Sequence, residues 1–169
     1  MLALDVSSSM TWRGCGGMPS VTPRVGSAAM AMVTMRTESD YLVTGFTTGL
    51  EVLDLSPKMR LDDVCDYMEG LNFGGTDCSL PMLYATKNNL KFDAFVVYTD
   101  SETWAGKIHP VEALKMYRKK TGIPAKLIVV GMEANNFTIA DPDDAGMLDV
   151  VGFDTAAPSV MSDFIREDL

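Results

Sequence analysis

Asp5, Ser7 and Ser9 follow the apolar run MLAL at two-residue intervals. Each side chain carries a hard oxygen, and all three fall where a buried strand would stop. Two other segments deliver oxygens in a similar way. The run FVVYT leads into Asp100, and the pair Gly74 and Gly75 leads into Thr76 in FGGTDCS. Two carboxylates and three hydroxyls form a donor set for Mg²⁺ or Mn²⁺, and for Ca²⁺ less tightly. With no His or Cys among the donors, the set does not suit Zn²⁺. The charges of Asp5 and Asp100 would cancel those of a divalent ion, and the hydroxyls add donors without adding charge. An ion held this way keeps its pull on a carboxylate from outside. Mg²⁺ takes about six ligands, so a position remains for a partner's Asp or Glu. The two glycines let the backbone turn sharply enough for Thr76 to point into the same crevice.

Other chemistry at these residues fits less well. Taken alone, DVSSS reads equally as a strand end followed by turn and cap residues. A serine nucleophile needs a base and an orienting group. The single histidine, His109, stands just before Pro110, where it reads as a loop residue at a helix start, and there is no Gly-x-Ser-x-Gly elbow. A phosphotransfer aspartate at Asp5 would want a second acid close behind, where this chain has serines. A phosphate-cradling loop is also missing. The reading is therefore recognition without catalysis. A Mg²⁺-dependent phosphohydrolase and a structural scaffold with an empty metal site stand as alternatives.

These residues need a framework that brings strand ends together, and the chain alternates short β-rich runs with helical periods. MLAL, DYLVTGF, FDAFVVYTD, AKLIVVGM and MLDVVGF read as strands, several of them apolar without alternation, as in a sheet covered on both faces. TTGLEVLDL follows DYLVTGF after a very short turn and reads as its antiparallel neighbour. Between them lie helical patterns. In TPRVGSAAMAMVTMRTE the expected buried face is Val25, Ala29, Met32 and Val33. In LDDVCDYMEGL it is Leu61, Val64, Cys65 and Met68. SLPMLYATKNNL turns Leu80, Leu83 and Tyr84 inward. HPVEALKMYRKKTG has Pro110 near its start and Gly122 just past its end. APSVMSDFIRE buries Val160, Met161, Phe164 and Ile165. The expected fold is α/β, doubly wound and Rossmann-like. Its sheet is mostly parallel, with one antiparallel edge strand and helices on both faces. In such sheets the ligand crevice lies at the carboxyl ends of the strands.

At 169 residues, the expectation is a single domain over 1–169, cut from a longer protein. No apolar run is long enough to span a bilayer. The net charge of −9 disfavours nucleic-acid binding by this segment alone and favours basic partners or divalent cations. Cys15, Cys65 and Cys78 have no metal-like spacing and suit a reducing compartment, with Cys65 buried and Cys15 exposed in RGCGGM. The acids of ADPDDAG (Asp141, Asp143 and Asp144) read as a solvated loop. YRKK reads as a basic helix end favoured by the dipole.

The set Asp5-x-Ser7-x-Ser9, Thr76 after Gly-Gly, and strand-end Asp100 resembles the metal-ion-dependent adhesion site of von Willebrand factor A domains. GGTDCSLPM, HPVEALKMYRKKTGIPAKLIVVGM and FTIADPDDAGMLDVVGFDT resemble more closely the carboxyl-terminal domain of the Ro ribonucleoprotein autoantigen family. That family joins a ring of helical repeats, the TROVE module, to an A domain. The resemblance implies a Mg²⁺ site (Mn²⁺ or Ca²⁺ in its place) made by Asp5, Ser7, Ser9, Thr76 and Asp100. It implies a protein or small ligand that offers a carboxylate, and no membrane. It also implies a cytoplasmic and nuclear ribonucleoprotein that binds small noncoding Y RNAs and misfolded noncoding RNA, chiefly through its helical ring. Glu102 in TDSETW, where many A domains have Thr-Asp-Gly, and Asp77 beside Thr76 are candidate acids behind the ligands. The Gly-rich stretch 13–20 departs from the family pattern and lies close to the proposed site.

Overall fold

The computed structural model of the chain describes residues 1–71, 74–100, 106–133 and 139–167. Strand β1 is Leu2–Asp5, followed by a 3-10 turn at Ser8–Thr11 and helix α1 at Pro23–Thr37. Then come β2 (Val43–Phe46), β3 (Leu50–Val52), α2 (Leu61–Glu69) and α3 (Leu80–Asn88). The second half holds β4 (Ala94–Thr99), α4 (Pro110–Thr121), β5 (Lys126–Gly131), β6 (Met147–Val151) and α5 (Ala157–Arg166). The six strands form one sheet in the order β3-β2-β1-β4-β5-β6. All neighbours are parallel except β3, which pairs antiparallel with β2 at the edge.

The sheet separates two apolar cores, which is why its central strands are apolar without alternation. Leu2, Leu4, Val96, Tyr98, Ile128 and Val130 face one core, with Met30 and Met35 of α1, Val64 and Met68 of α2, and Met161 of α5. Ala3, Phe95, Val97, Leu127 and Val129 face the other, with Met82 and Ala85 of α3 and Leu114 and Tyr117 of α4. Each large side chain so buried contributes about 1.5–3 kcal/mol. Helix starts follow local rules. Thr22 accepts from the Val25 N–H ahead of Pro23, and His109 Nδ1 accepts from the Val111 N–H ahead of Pro110. Gly122, at φ 73°, ends α4 in the left-handed region that glycine tolerates.

Two expectations about helix faces are corrected. Helix α1 buries Ala28, Met30, Ala31, Met32 and Met35, whereas Val33 is 42% exposed and Val25 and Ala29 only half-buried. This helix is covered by α2 on one side and by the segment before it on the other, so its buried surface is wider than one stripe and rotated from the expected one. On α5, Met161 is buried and Val160 is exposed.

Cys15 is buried, against the expectation from its Gly-rich setting. Residues 12–22 fold back across the ends of β5 and β6. The Cys15 N–H donates to Val21 O, the Gly16 N–H to Met132 O, and the Phe153 N–H to Gly16 O. The approach is close enough that a Cβ at Gly26 would meet Cys15 Sγ at 2.9 Å. Gly152 sits at φ 86°, and a Cβ there would meet Gly16 O at 2.7 Å. Gly152→Ala therefore combines backbone strain with a clash against main chain. It should lower the unfolding free energy by roughly 1–3 kcal/mol, read from urea denaturation.

Candidate metal centre

Strand β1 lies between β2 and β4, so the chain leaves it towards one edge of the sheet and later returns on its other side. Strand order reverses there, and a crevice opens at the carboxyl ends of β1 and β4. Asp5 is the last residue of β1, and Asp100 follows the last residue of β4. The turn after β1 carries Ser7 and Ser9, and the loop into α3 carries Thr76.

The structure gathers all five residues in one hydrogen-bonded cluster. Asp5 Oδ1 accepts the Ser7 N–H at 2.9 Å, and Asp5 Oδ2 accepts the Thr76 hydroxyl at 3.3 Å. The Ser7 and Ser9 hydroxyls share a hydrogen bond at 3.0 Å, and Ser9 Oγ donates to Asp100 Oδ1 at 3.2 Å. Asp5 is fully buried and Asp100 is 9% exposed; Ser7 and Thr76 are buried as well. Among the described residues, no lysine or arginine pairs with either carboxylate.

This arrangement sets the electrostatics. Burial raises the affinity of the Asp5 carboxyl for its proton, and the hydrogen bonds from Ser7, Thr99 and Thr76 oppose that rise. Asp100 is pushed up to about 6, by burial first and then by the charge of Asp5, with Glu133 adding to the effect and the Ser9 hydroxyl opposing it. Two like charges share a desolvated site, and no described lysine or arginine pairs with them. A divalent cation would supply the counter-charge, and the five oxygens are of the kind it prefers. The donor set therefore fits Mg²⁺ or Mn²⁺. Cys78 lies close by, but burial, reinforced by Asp5, raises its pKa strongly and keeps it a neutral thiol.

Sequence reasoning missed two members of this neighbourhood. Thr99 Oγ1 donates to Asp5 Oδ2 at 2.7 Å, the shortest side-chain hydrogen bond that Asp5 accepts. Its signal was a polar residue closing an otherwise apolar strand. Glu133 is the second residue after β5 and acts on Asp100 through space; no local pattern marked it. Asp77 makes no hydrogen bond to the five residues of the cluster. Its Oδ1 accepts from the N–H and hydroxyl of Ser79 at 3.0 and 2.6 Å, and its own N–H donates to Thr47 O. It fixes the turn between Thr76 and α3. Glu102 lies outside the described residues. The acids of 141–144 serve the loop: Asp141 accepts from the Asp143 N–H, and Asp144 pairs with Arg118 at 2.5 Å.

The sheet order and the constellation at its switch point define the class of protein: a von Willebrand factor A domain. The sequence matches the Ro60 vWA domain family over residues 1–165, and the chain belongs to that family. It is 48% identical over 169 residues to the RNA-binding protein RO60 of Deinococcus radiodurans, covering 100% of this chain and 32% of the relative. It is 47% identical over 165 residues to the RNA-binding protein RO60 of Caenorhabditis elegans, covering 97% and 25%. The crystal structure of the Deinococcus radiodurans RO (RSR) protein matches with a TM-score of 0.89 at 50% identity, over 98% of this chain and 33% of that one. The chain thus spans about a third of the bacterial relative's length and a quarter of the nematode relative's.

Proposed function

We propose that this domain is a metal-dependent recognition module of an RNA-binding Ro-type particle. Asp5, Ser7, Ser9, Thr76 and Asp100 would hold Mg²⁺, or Mn²⁺ or Ca²⁺ in its place. The ion would supply an electrophilic position for a carboxylate on a protein or small-molecule partner. One observation carries the reading: Asp5 and Asp100 are buried in one hydroxyl-lined cluster, and among the described residues no lysine or arginine pairs with either. The domain recognises and does not catalyse. His109, the single histidine, caps α4 and gives Ser7 and Ser9 no base.

With a net charge of −9, RNA contact falls to the remainder of the intact protein, as the partial span of the RNA-binding relatives allows. Among the described residues no helix is long and apolar enough to cross a membrane. The three unpaired cysteines are at home in a reducing compartment such as the cytoplasm.

A melting titration of this chain with Mg²⁺, Mn²⁺ and Ca²⁺, against a chelated control, tests the reading. The midpoint should rise with at least Mg²⁺ and Mn²⁺. A midpoint indifferent to every ion would reduce the domain to a scaffold.

A further inference from the structure

Trp12 is 74% exposed, the most exposed large apolar side chain among the described residues. An exposed indole leaves one of the largest apolar surfaces of any side chain in water. Its backbone is tied to the ligand turn. The Trp12 N–H donates to Ser9 O at 3.0 Å, and Thr11 Oγ1 donates to Ser8 O at 2.8 Å. The indole is thus mounted on the 3-10 turn that begins within Ser7–Ser9. Beside it, Arg13 is 79% exposed and reaches Glu133 at 3.7 Å. Glu133 lies within electrostatic reach of Asp100. Tryptophan and arginine are the residue types most enriched at interface hot spots, and here they adjoin the metal ligands on a chain that is otherwise acidic.

We infer that Trp12 and Arg13 form the specificity rim of the metal centre, and that its partner is a peptide offering one carboxylate with an aromatic or apolar side chain next to it. This rests on the metal-dependent reading above. The ion takes the carboxylate, the indole covers the neighbouring side chain, and the guanidinium adds one positive charge beside that carboxylate. Single-stranded nucleic acid also offers anions and rings, but each added phosphate meets repulsion from a domain of net charge −9. A short peptide bearing one carboxylate meets chiefly the local charge.

Two capped peptides test this: acetyl-Gly-Asp-Phe-Gly-amide, and the same peptide with glycine in place of phenylalanine. Both are titrated with Mg²⁺ present. Trp12 emission is followed in a Trp104→Phe background, and calorimetry covers Trp12→Ala and Arg13→Glu. The phenylalanine peptide should shift Trp12 emission to the blue and bind roughly three- to tenfold tighter than the glycine peptide. Trp12→Ala should erase that preference, and Arg13→Glu should weaken both peptides more at low salt than at high salt. Equal affinity of the two peptides, or an unchanged preference in Trp12→Ala, overturns the inference. So does a single-stranded oligonucleotide that competes more strongly than either peptide. The melting shift with Mg²⁺ on the same samples separates the two levels. If Mg²⁺ stabilises the chain but neither peptide binds, the rim falls alone; with no Mg²⁺ response, the metal reading falls with it.

Discussion

Asp5→Asn should fold as well as the parent chain without ions and lose its stabilisation by Mg²⁺. The amide keeps the carboxylate's shape, and its oxygen can still accept the Ser7 N–H that Asp5 Oδ1 accepts now. The Thr76 and Thr99 hydroxyls, which donate to Asp5 Oδ2, can rotate to accept from the new NH₂ group. The substitution also removes a charge that burial disfavours. In chelator, the variant should therefore match the parent or slightly exceed it. With Mg²⁺ the order reverses. At 100-fold excess over its dissociation constant, an ion bound only by the folded state contributes about 2.7 kcal/mol. For a chain of this size that amounts to roughly 5–10 °C in melting temperature. The parent should gain it, and the variant, short of half the anionic charge at the centre, should gain almost none. Thermal melts of both chains with chelator and with Mg²⁺ give the four numbers required. A full Mg²⁺ shift retained by Asp5→Asn would place the ion elsewhere, with the acidic loop at Asp141 and Asp143 the first place to look.

The candidate site was legible in the sequence because strand ends can be located from apolar runs. Once MLAL and FVVYT are strands of one parallel sheet, the residues that follow them share its carboxyl edge, and their polarity stands out. The antiparallel β3 was legible from the short Thr-Thr-Gly turn before it, and the start of α4 from Pro110. Helix faces were less so. Helix α1 is rich in alanine and methionine on all sides, so periodicity could not say which stripe is buried; α2 and the segment 12–22 decide it by covering two sides. Cys15 and Glu133 failed for a related reason. Their positions depend on backbone hydrogen bonds among Gly16, Met132 and Phe153, far apart in sequence, and no local spacing records such contacts. Trp12 was invisible as a rim residue because a tryptophan three places beyond a serine looks the same whether it is buried or exposed.

Asp100 should give the site a pH dependence whose sign reverses when an ion is added. Its carboxyl, ordinarily near 3.8, is pushed up to about 6 in the folded chain by burial and by Asp5. Between those two values the folded state binds more protons than the unfolded state, so stability falls as pH rises through the window. Above it both states are ionised and the cost is complete. Asp149, also raised by burial, contributes in the same direction from another part of the fold. Comparing the parent with Asp100→Asn at each pH cancels that background. In chelator the two chains should be about equally stable near pH 4, and the variant should lead by something like 1–3 kcal/mol at pH 7. Mg²⁺ competes with the proton for the same carboxylate, so its stabilisation of the parent should be slight at pH 5 and near its full value at pH 7.5. Urea denaturation at four or five pH values, with and without Mg²⁺, reads both curves. A Mg²⁺ effect of constant size from pH 5 to 7.5 would mean that Asp100 is not among the ligands, whatever else the ion binds.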